Sequence, residues 1–302
     1  KNPIRTAPLS DKVSTLIFCF IFKFSHVTTT ASLPDKYAPL YDIKPWLRQY
    51  APGTLKHIDA PATRNLGDMV RAAAATHGNR TAYTLLLPDG TEGAMSFFAV
   101  DEHSDRFAAY LRYVLGLKKG ERVALQMVNH LCFPIAAFGV LKAGCVLVNV
   151  NPLYTPSEVR HQLQDSGAKV LVLLDVFVNT LPQALADTAV NTALVVSMGD
   201  FFPLPAQVKV NLAMRLQRKV PLGGPLSASS VKALKDTVDF SSFTEALELG
   251  APFAEKVEHI DVLANDLALL QYTGGTTGVS KGAVLLHRNV IANVLQSEAW
   301  NS

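Results

Sequence analysis

Four short apolar segments between residues 122 and 197 leave this chain few ways to fold. Arg122–Met127, Cys145–Val150, Lys169–Leu174 and Ala193–Ser197 are rich in Val and Leu and read as strands. Helix-like segments separate them at Leu131–Lys142, Thr155–Ser166 and Val178–Ala186. Thr155-Pro-Ser-Glu158 is a capping box with proline at the first helical position, and Gly167 supplies the stop. Strands apolar along their whole length, joined by helical crossovers, predict an α/β fold. Its sheets are mainly parallel and covered by helices on both faces.

The same grammar extends upstream. Asn65 caps a predicted helix to about His77, with Leu66, Met69, Val70 and Ala73 on one face. A strand at Thr81–Leu87 leads into the turn Pro88-Asp89-Gly90. Ser96 or Asp101 then opens a helix carrying Phe107, Tyr110, Leu111 and Val114. Residues 1–36 are set apart, with no initiator Met and a short apolar block, Leu16–Phe22, between Lys12 and Lys23. A signal peptide is one reading; a mistranslated or poorly ordered extension is the expectation, because the cysteine usage does not suit export.

Phe201–Lys235 breaks the alternation. It holds no acidic residue but six cations: Lys209, Arg215, Arg218, Lys219, Lys232 and Lys235. Val208, Leu212, Leu216 and Val220 recur every fourth residue, which predicts a basic amphipathic helix over 208–220. Its stripe is expected to pack on the domain. Peripheral contact with an anionic membrane is the second reading. Pro221–Ser230 reads as a loop.

Composition excludes several classes. A net charge of +3 gives no argument for nucleic acid, and none is expected as a partner. Cys19, Cys132 and Cys145 are scattered, against a disulfide framework or zinc site and in favour of a reducing, cytoplasmic setting. The eight histidines form no HExxH. No apolar run approaches the length of a membrane-crossing helix.

The chemistry concentrates in Thr273-Gly-Gly-Thr-Thr-Gly-Val-Ser-Lys281-Gly282, which follows the apolar run Leu267–Tyr272. Its glycines let the backbone approach a ligand, its hydroxyls donate, and Lys281 supplies a cation. A polyphosphate uses all of these at once. The segment fails as a Walker loop, because Ser280 precedes Lys281, Gly282 follows it, and Ala283–Leu286 is strand-like. Gly278-Val-Ser280-Lys-Gly282 formally satisfies GxSxG. However, His287 precedes the nearest acid, Glu298, and six polar or glycine residues separate the serine from its strand. A plain hairpin connection needs only two residues.

Tyr272–Asn289 (YTGGTTGVSKGAVLLHRN) resembles the signature phosphate loop of the adenylate-forming, or AMP-binding, superfamily. This superfamily includes acyl-CoA synthetases and peptide-synthetase adenylation domains. Ser280 stands where Pro or Ala is frequent. Leu141–Val172 and Met95–Leu111 are similar to two further core segments in their fatty-acyl-CoA synthetase form, so the resemblance runs from about Leu33 onward.

The resemblance implies an acid–thiol ligase that activates a long-chain fatty acid with ATP and CoA. Thr273, Gly274, Gly275, Thr276, Thr277, Gly278 and Lys281 would cradle the ATP phosphates. Thr273 or Thr276 would lie near Mg2+. His287 and Arg288 are expected at a helix entry, His130 and Cys132 in packing, Asn151 and Tyr154 in a turn. Residues 37–302 would be an incomplete AMP-binding domain ending just after the phosphate loop, without the C-terminal domain and with no complete catalytic set. The missing Met and the end at Asn301-Ser302 are read as a fragment or faulty gene model. These residues alone are expected to show no fatty-acid-dependent ATP–pyrophosphate exchange. Benzoate-type ligases and peptide-synthetase adenylation domains are the alternatives within the superfamily; a non-catalytic fragment is the alternative outside it. A cytoplasmic protein, peripheral on the inner membrane face if 208–220 meets lipid, completes the expectation, with a homodimer left open.

Overall fold

Strands that are apolar on every residue need cover on both sides, and the chain supplies it. The computed structural model describes residues 43–58, 63–273 and 280–301. Among these, β1 (Thr81–Leu86) and β2 (Glu92–Ser96) form a small antiparallel pair. The main sheet contains β3 (Arg122–Gln126), β4 (Val146–Val150), β5 (Val170–Leu174), β6 (Thr192–Val196), β7 (Asp239–Ser242), β8 (Leu267–Thr273) and β9 (Lys281–Leu286). Its order is β7-β6-β5-β3-β4-β8-β9. All pairings are parallel except β8 with β9.

The helices are α1 (Leu66–His77), α2 (Phe97–Ala109), α3 (Cys132–Lys142), α4 (Pro156–Ser166), α5 (Leu181–Ala184), α6 (Leu204–Leu216), α7 (Ser229–Leu234), α8 (Phe243–Gly250) and α9 (His287–Asn301). Val123, Leu125, Leu147, Val172 and Leu194 join one core with residues of α1, α2, α3, α8 and α9. Their strand neighbours Ala124, Val148, Leu171, Leu173 and Val195 join a second with α4, α5 and α7. Period-two alternation thus fills both faces. Side-chain caps set several helix starts: Asn65 accepts from the Asp68 N–H, Ser96 from Ala99, and Ser242 from Glu245. Thr155 and Glu158 form the reciprocal box, and Gly167 closes α4 in the left-handed region at φ 60°.

α3 is the most enclosed helix, with all eleven residues buried. It packs closely on α2 because Gly139 has no side chain; a Cβ there would lie 2.6 Å from Phe107 Cδ1. At its end Lys142 carries a wholly buried ammonium. That group donates to Asp101 Oδ1 at 2.6 Å and lies 3.0 Å from Asp105 Oδ1, which also pairs with Arg71 of α1 at 3.0 Å. Burial pulls the lysine's pKa down, against the two carboxylates.

Three expectations change. Residues 178–186 do not form one helix: a 3-10 segment, Asp175–Thr180, precedes the short α5. Pro182 is tolerated only in a first turn, so the α-helix begins beside it. The basic helix spans Leu204–Leu216 rather than 208–220, started by Pro205 and ended before Arg218 at φ 56°. Three of the four stripe residues do not pack on the domain; the fourth, Val220, is buried but lies past the helix end. Val208, Leu212 and Leu216 are 59%, 53% and 69% exposed, while Val210 is buried. The polar edge docks instead: Asn211 Oδ1 accepts from the Gly199 N–H at 2.8 Å, and Gln207 donates to Asp200 at 3.5 Å. The stretch read as a loop also holds a 3-10 turn, Pro225–Ser227. No helix among the described residues is long and apolar enough to cross a membrane.

Candidate functional site

A parallel sheet delivers the loop after each strand to one edge, and α/β proteins hold ligands at that carboxyl edge. β8 reaches it at Thr273, and the chain returns at Lys281. Thr273 pairs with Lys281, Tyr272 with Gly282 and Gln271 with Ala283. Directly paired residues of antiparallel strands project to the same face. The Thr273 hydroxyl and the exposed Lys281 ammonium therefore flank the mouth of the loop together. Residues 274–279, which include the expected Gly274, Gly275, Thr276, Thr277 and Gly278, lie outside the described residues.

The other face of the mouth is tied down. The Tyr272 ring lies on Gly282, where a Cβ would come 3.1 Å from the ring's Cζ. Its hydroxyl donates to Asp165 Oδ2 of α4 at 2.5 Å, and burial together with that carboxylate raises the phenol's pKa above its ordinary range. His161, one turn earlier on α4, meets the Ser280 carbonyl oxygen at 3.3 Å through Nε2. Asn149 of β4 donates to Gln271 Oε1 at 3.1 Å, fastening β8 to the sheet. Neither His161 nor Asp165 was singled out by sequence; their only signal was helical spacing of four.

The remaining conspicuous residues stand where the sequence reading put them. His287 opens α9 fully buried; its Nδ1 accepts from the Leu66 N–H at 3.2 Å, and burial lowers its pKa to about 4. Asn151 Oδ1 accepts from the Leu153 N–H at 2.9 Å in a turn. His130 and Cys132 are buried together, the Cys132 N–H donating to His130 Nδ1 at 3.1 Å.

Beside them, also at the carboxyl edge, are two buried carboxyls that sequence reasoning missed. Burial lifts Asp175 and Asp200 to about 6. Asp175 accepts from the Met198 N–H, and Asp200 from the Ser197 N–H. These bonds anchor the turn on which α6 docks. No cluster of three or more His, Cys, Asp or Glu suited to a metal occurs among the described residues.

The sequence profile described as "AMP-binding enzyme" matches residues 70–302. The chain is 39% identical over 257 residues to the long-chain-fatty-acid–CoA ligase of Salmonella typhimurium, and 40% identical over 257 residues to that of Escherichia coli O157:H7. Each alignment covers 85% of this chain, which spans only 42% of the relative's length. Among solved structures, a long-chain-fatty-acid–CoA ligase from Archaeoglobus fulgidus superposes with a TM-score of 0.54 at 23% identity, over 79% of this chain and 39% of that one. The adenylation domain of a Mycobacterium chelonae carboxylate reductase gives 0.54 at 18% identity, over 90% and 43%. At these identities the structures support the fold.

Proposed function

Because the chain belongs to the AMP-binding enzyme family, we propose that it holds the phosphates of ATP in the activation of a long-chain fatty acid to its acyl-adenylate and then its CoA thioester. The pairing of Thr273 with Lys281 across a Gly/Thr loop, at the carboxyl edge of a parallel sheet, carries this reading. Residues 37–302 are then part of the AMP-binding domain.

A carboxylate is a weak electrophile. In the proposed reaction its oxygen attacks the α-phosphorus of ATP and pyrophosphate leaves; the thiol of CoA then attacks the activated carbonyl and AMP leaves. Lys281 and the hydroxyl and backbone donors between Thr273 and Ser280 would balance charge on the departing pyrophosphate. Thr273 is the described candidate to lie near Mg2+, with Thr276 as the other; the ion would neutralise phosphate oxygens.

Titration of the chain with Mg·ATP tests the loop. Lys281→Ala should weaken binding by about tenfold, the effect of losing a charge-assisted contact while the backbone donors remain. Equal affinity in the two proteins refutes the assignment. For the acyl group, the assay is ATP–pyrophosphate exchange by the protein that contains these residues. Stimulation by palmitate supports the substrate class suggested by the relatives, and stimulation by benzoate alone overturns it.

The exposed stripe of α6 supports a second element of the proposal, docking on an anionic lipid surface. Leu204, Val208, Leu212 and Leu216 face outward, with exposed Arg215, Arg218 and Lys219 and no acidic residue from 201 to 235. Apolar side chains with basic neighbours suit the headgroup boundary. The chain should sediment with vesicles containing phosphatidylglycerol and not with phosphatidylcholine alone, and Leu212→Asp with Leu216→Asp should reduce this by at least about tenfold. Equal sedimentation of the variant removes α6 from the contact.

A further inference from the structure

We propose that His161 and Asp165 are positioning residues: from one face of α4 they hold the two ends of the phosphate loop. The proposal rests on the phosphate-binding reading of that loop. Asp165 accepts the Tyr272 hydroxyl at 2.5 Å, one residue before Thr273. His161 meets the Ser280 carbonyl at 3.3 Å, one residue before Lys281. Residues four apart on a helix share a face, so one helical turn spans both ends.

The helix offers a fixed base. Its first turn is locked by the Thr155–Glu158 box. Its last turn is held by Arg122, whose Nε donates to the Ser166 carbonyl at 2.6 Å and Nη2 to the Gly167 carbonyl at 3.1 Å. Val159 and Leu163 are buried in the second core. Asp165, by contrast, is exposed and His161 half-buried, so neither is required to fill the interior. What they touch is the loop.

Fixing backbone on binding a ligand costs conformational entropy. Tying both ends in advance removes part of that cost and raises affinity without a new ligand contact. The clasp also fixes where the hydroxyl of Thr273 and the ammonium of Lys281 start.

Hydrogen exchange of residues 272–282, Mg·ATP affinity and melting temperature, measured on the whole chain, test the proposal. His161→Ala and Asp165→Ala should each speed loop exchange and weaken Mg·ATP by about three- to tenfold, the size of one net hydrogen bond, with the melting temperature unchanged. His161→Gln keeps a donor and Asp165→Asn keeps an acceptor, so both should return to wild-type behaviour. Tyr272→Phe should match Asp165→Ala. Unchanged exchange in both alanine variants overturns the clasp whatever happens to ATP. Faster exchange with unchanged affinity, while Lys281→Ala does weaken binding, overturns the positioning role and leaves the phosphate reading intact. A wild-type chain that binds no Mg·ATP overturns the phosphate reading and the positioning role with it; exchange then still reports whether the contacts hold the loop.

Discussion

Replacing Asp101 and Asp105 together with asparagine is expected to lower the unfolding free energy by about 3–5 kcal/mol, read from denaturant unfolding. The reason is the neighbour left behind. The Lys142 side chain has no exposure, and both carboxylates near it are about a fifth exposed. Losing them strands a buried cation, whose remaining escape is to give up its proton. Moving a lysine from its ordinary 10.5 to neutrality costs about 5 kcal/mol at about 1.4 kcal/mol per unit, which caps the effect. Adding Lys142→Met should recover most of the loss, because a well-packed apolar replacement of a whole buried ion network is often neutral. A double variant within about 1 kcal/mol of wild type, or a triple variant no better than the double, contradicts the account.

Gly250→Ala is expected to cost about 3 kcal/mol and lower the melting temperature by about 5 °C. A Cβ at Gly250 would sit 2.0 Å from the Arg106 carbonyl oxygen and 2.9 Å from the Tyr110 backbone nitrogen. These are backbone atoms, so no rotamer change relieves the clash, and α8 must move off α2. The contact lies where α2 passes into the π turn Tyr110–Val114. Displacing α8 also disturbs Phe243 against Phe107, whose ring centroids are 4.8 Å apart. Gly139→Ala makes the useful comparison, because its closest clashes are with the Phe107 side chain, Cδ1 at 2.6 Å and Cβ at 2.9 Å, and the nearest backbone atom, the Ser104 carbonyl oxygen, is farther away at 3.1 Å. Equal melting of Gly250→Ala and wild type rules out this packing of α8 on α2.

The fold was legible wherever local chemistry had one solution. A strand such as Val170–Leu174, buried at every residue, belongs only in a covered parallel sheet. Thr155 with Glu158 and Gly167 fixed both ends of α4 through contacts a few residues apart. The orientation of α6 was not legible. Its apolar period is real, but the period does not say which face docks, and two side-chain amides at Asn211 and Gln207 settled that against the leucines. The proposed phosphate loop was read from its residue types, and the strand register added that Thr273 and Lys281 share its mouth. The clasp was hidden because its bonds join residues 107 and 119 positions apart, with ordinary helix-surface side chains on one side.

The Tyr272 ring lying on Gly282 has a corollary for chain length. Strand register moves only in whole residues, and a slip of one turns every following side chain to the opposite face. Such a slip would carry Ala283 or Lys281 beneath the ring, where a Cβ would crowd it at 3.1 Å, and would turn Lys281 away from Thr273. A change of length between Thr273 and Lys281 leaves this pairing intact, whereas one between Leu269 and Thr273 or between Lys281 and Leu285 shifts it; the ladder's own irregularity lies outside that stretch, between Leu267 and Leu269. The length of the loop is thus uncoupled from the placement of its two endpoints.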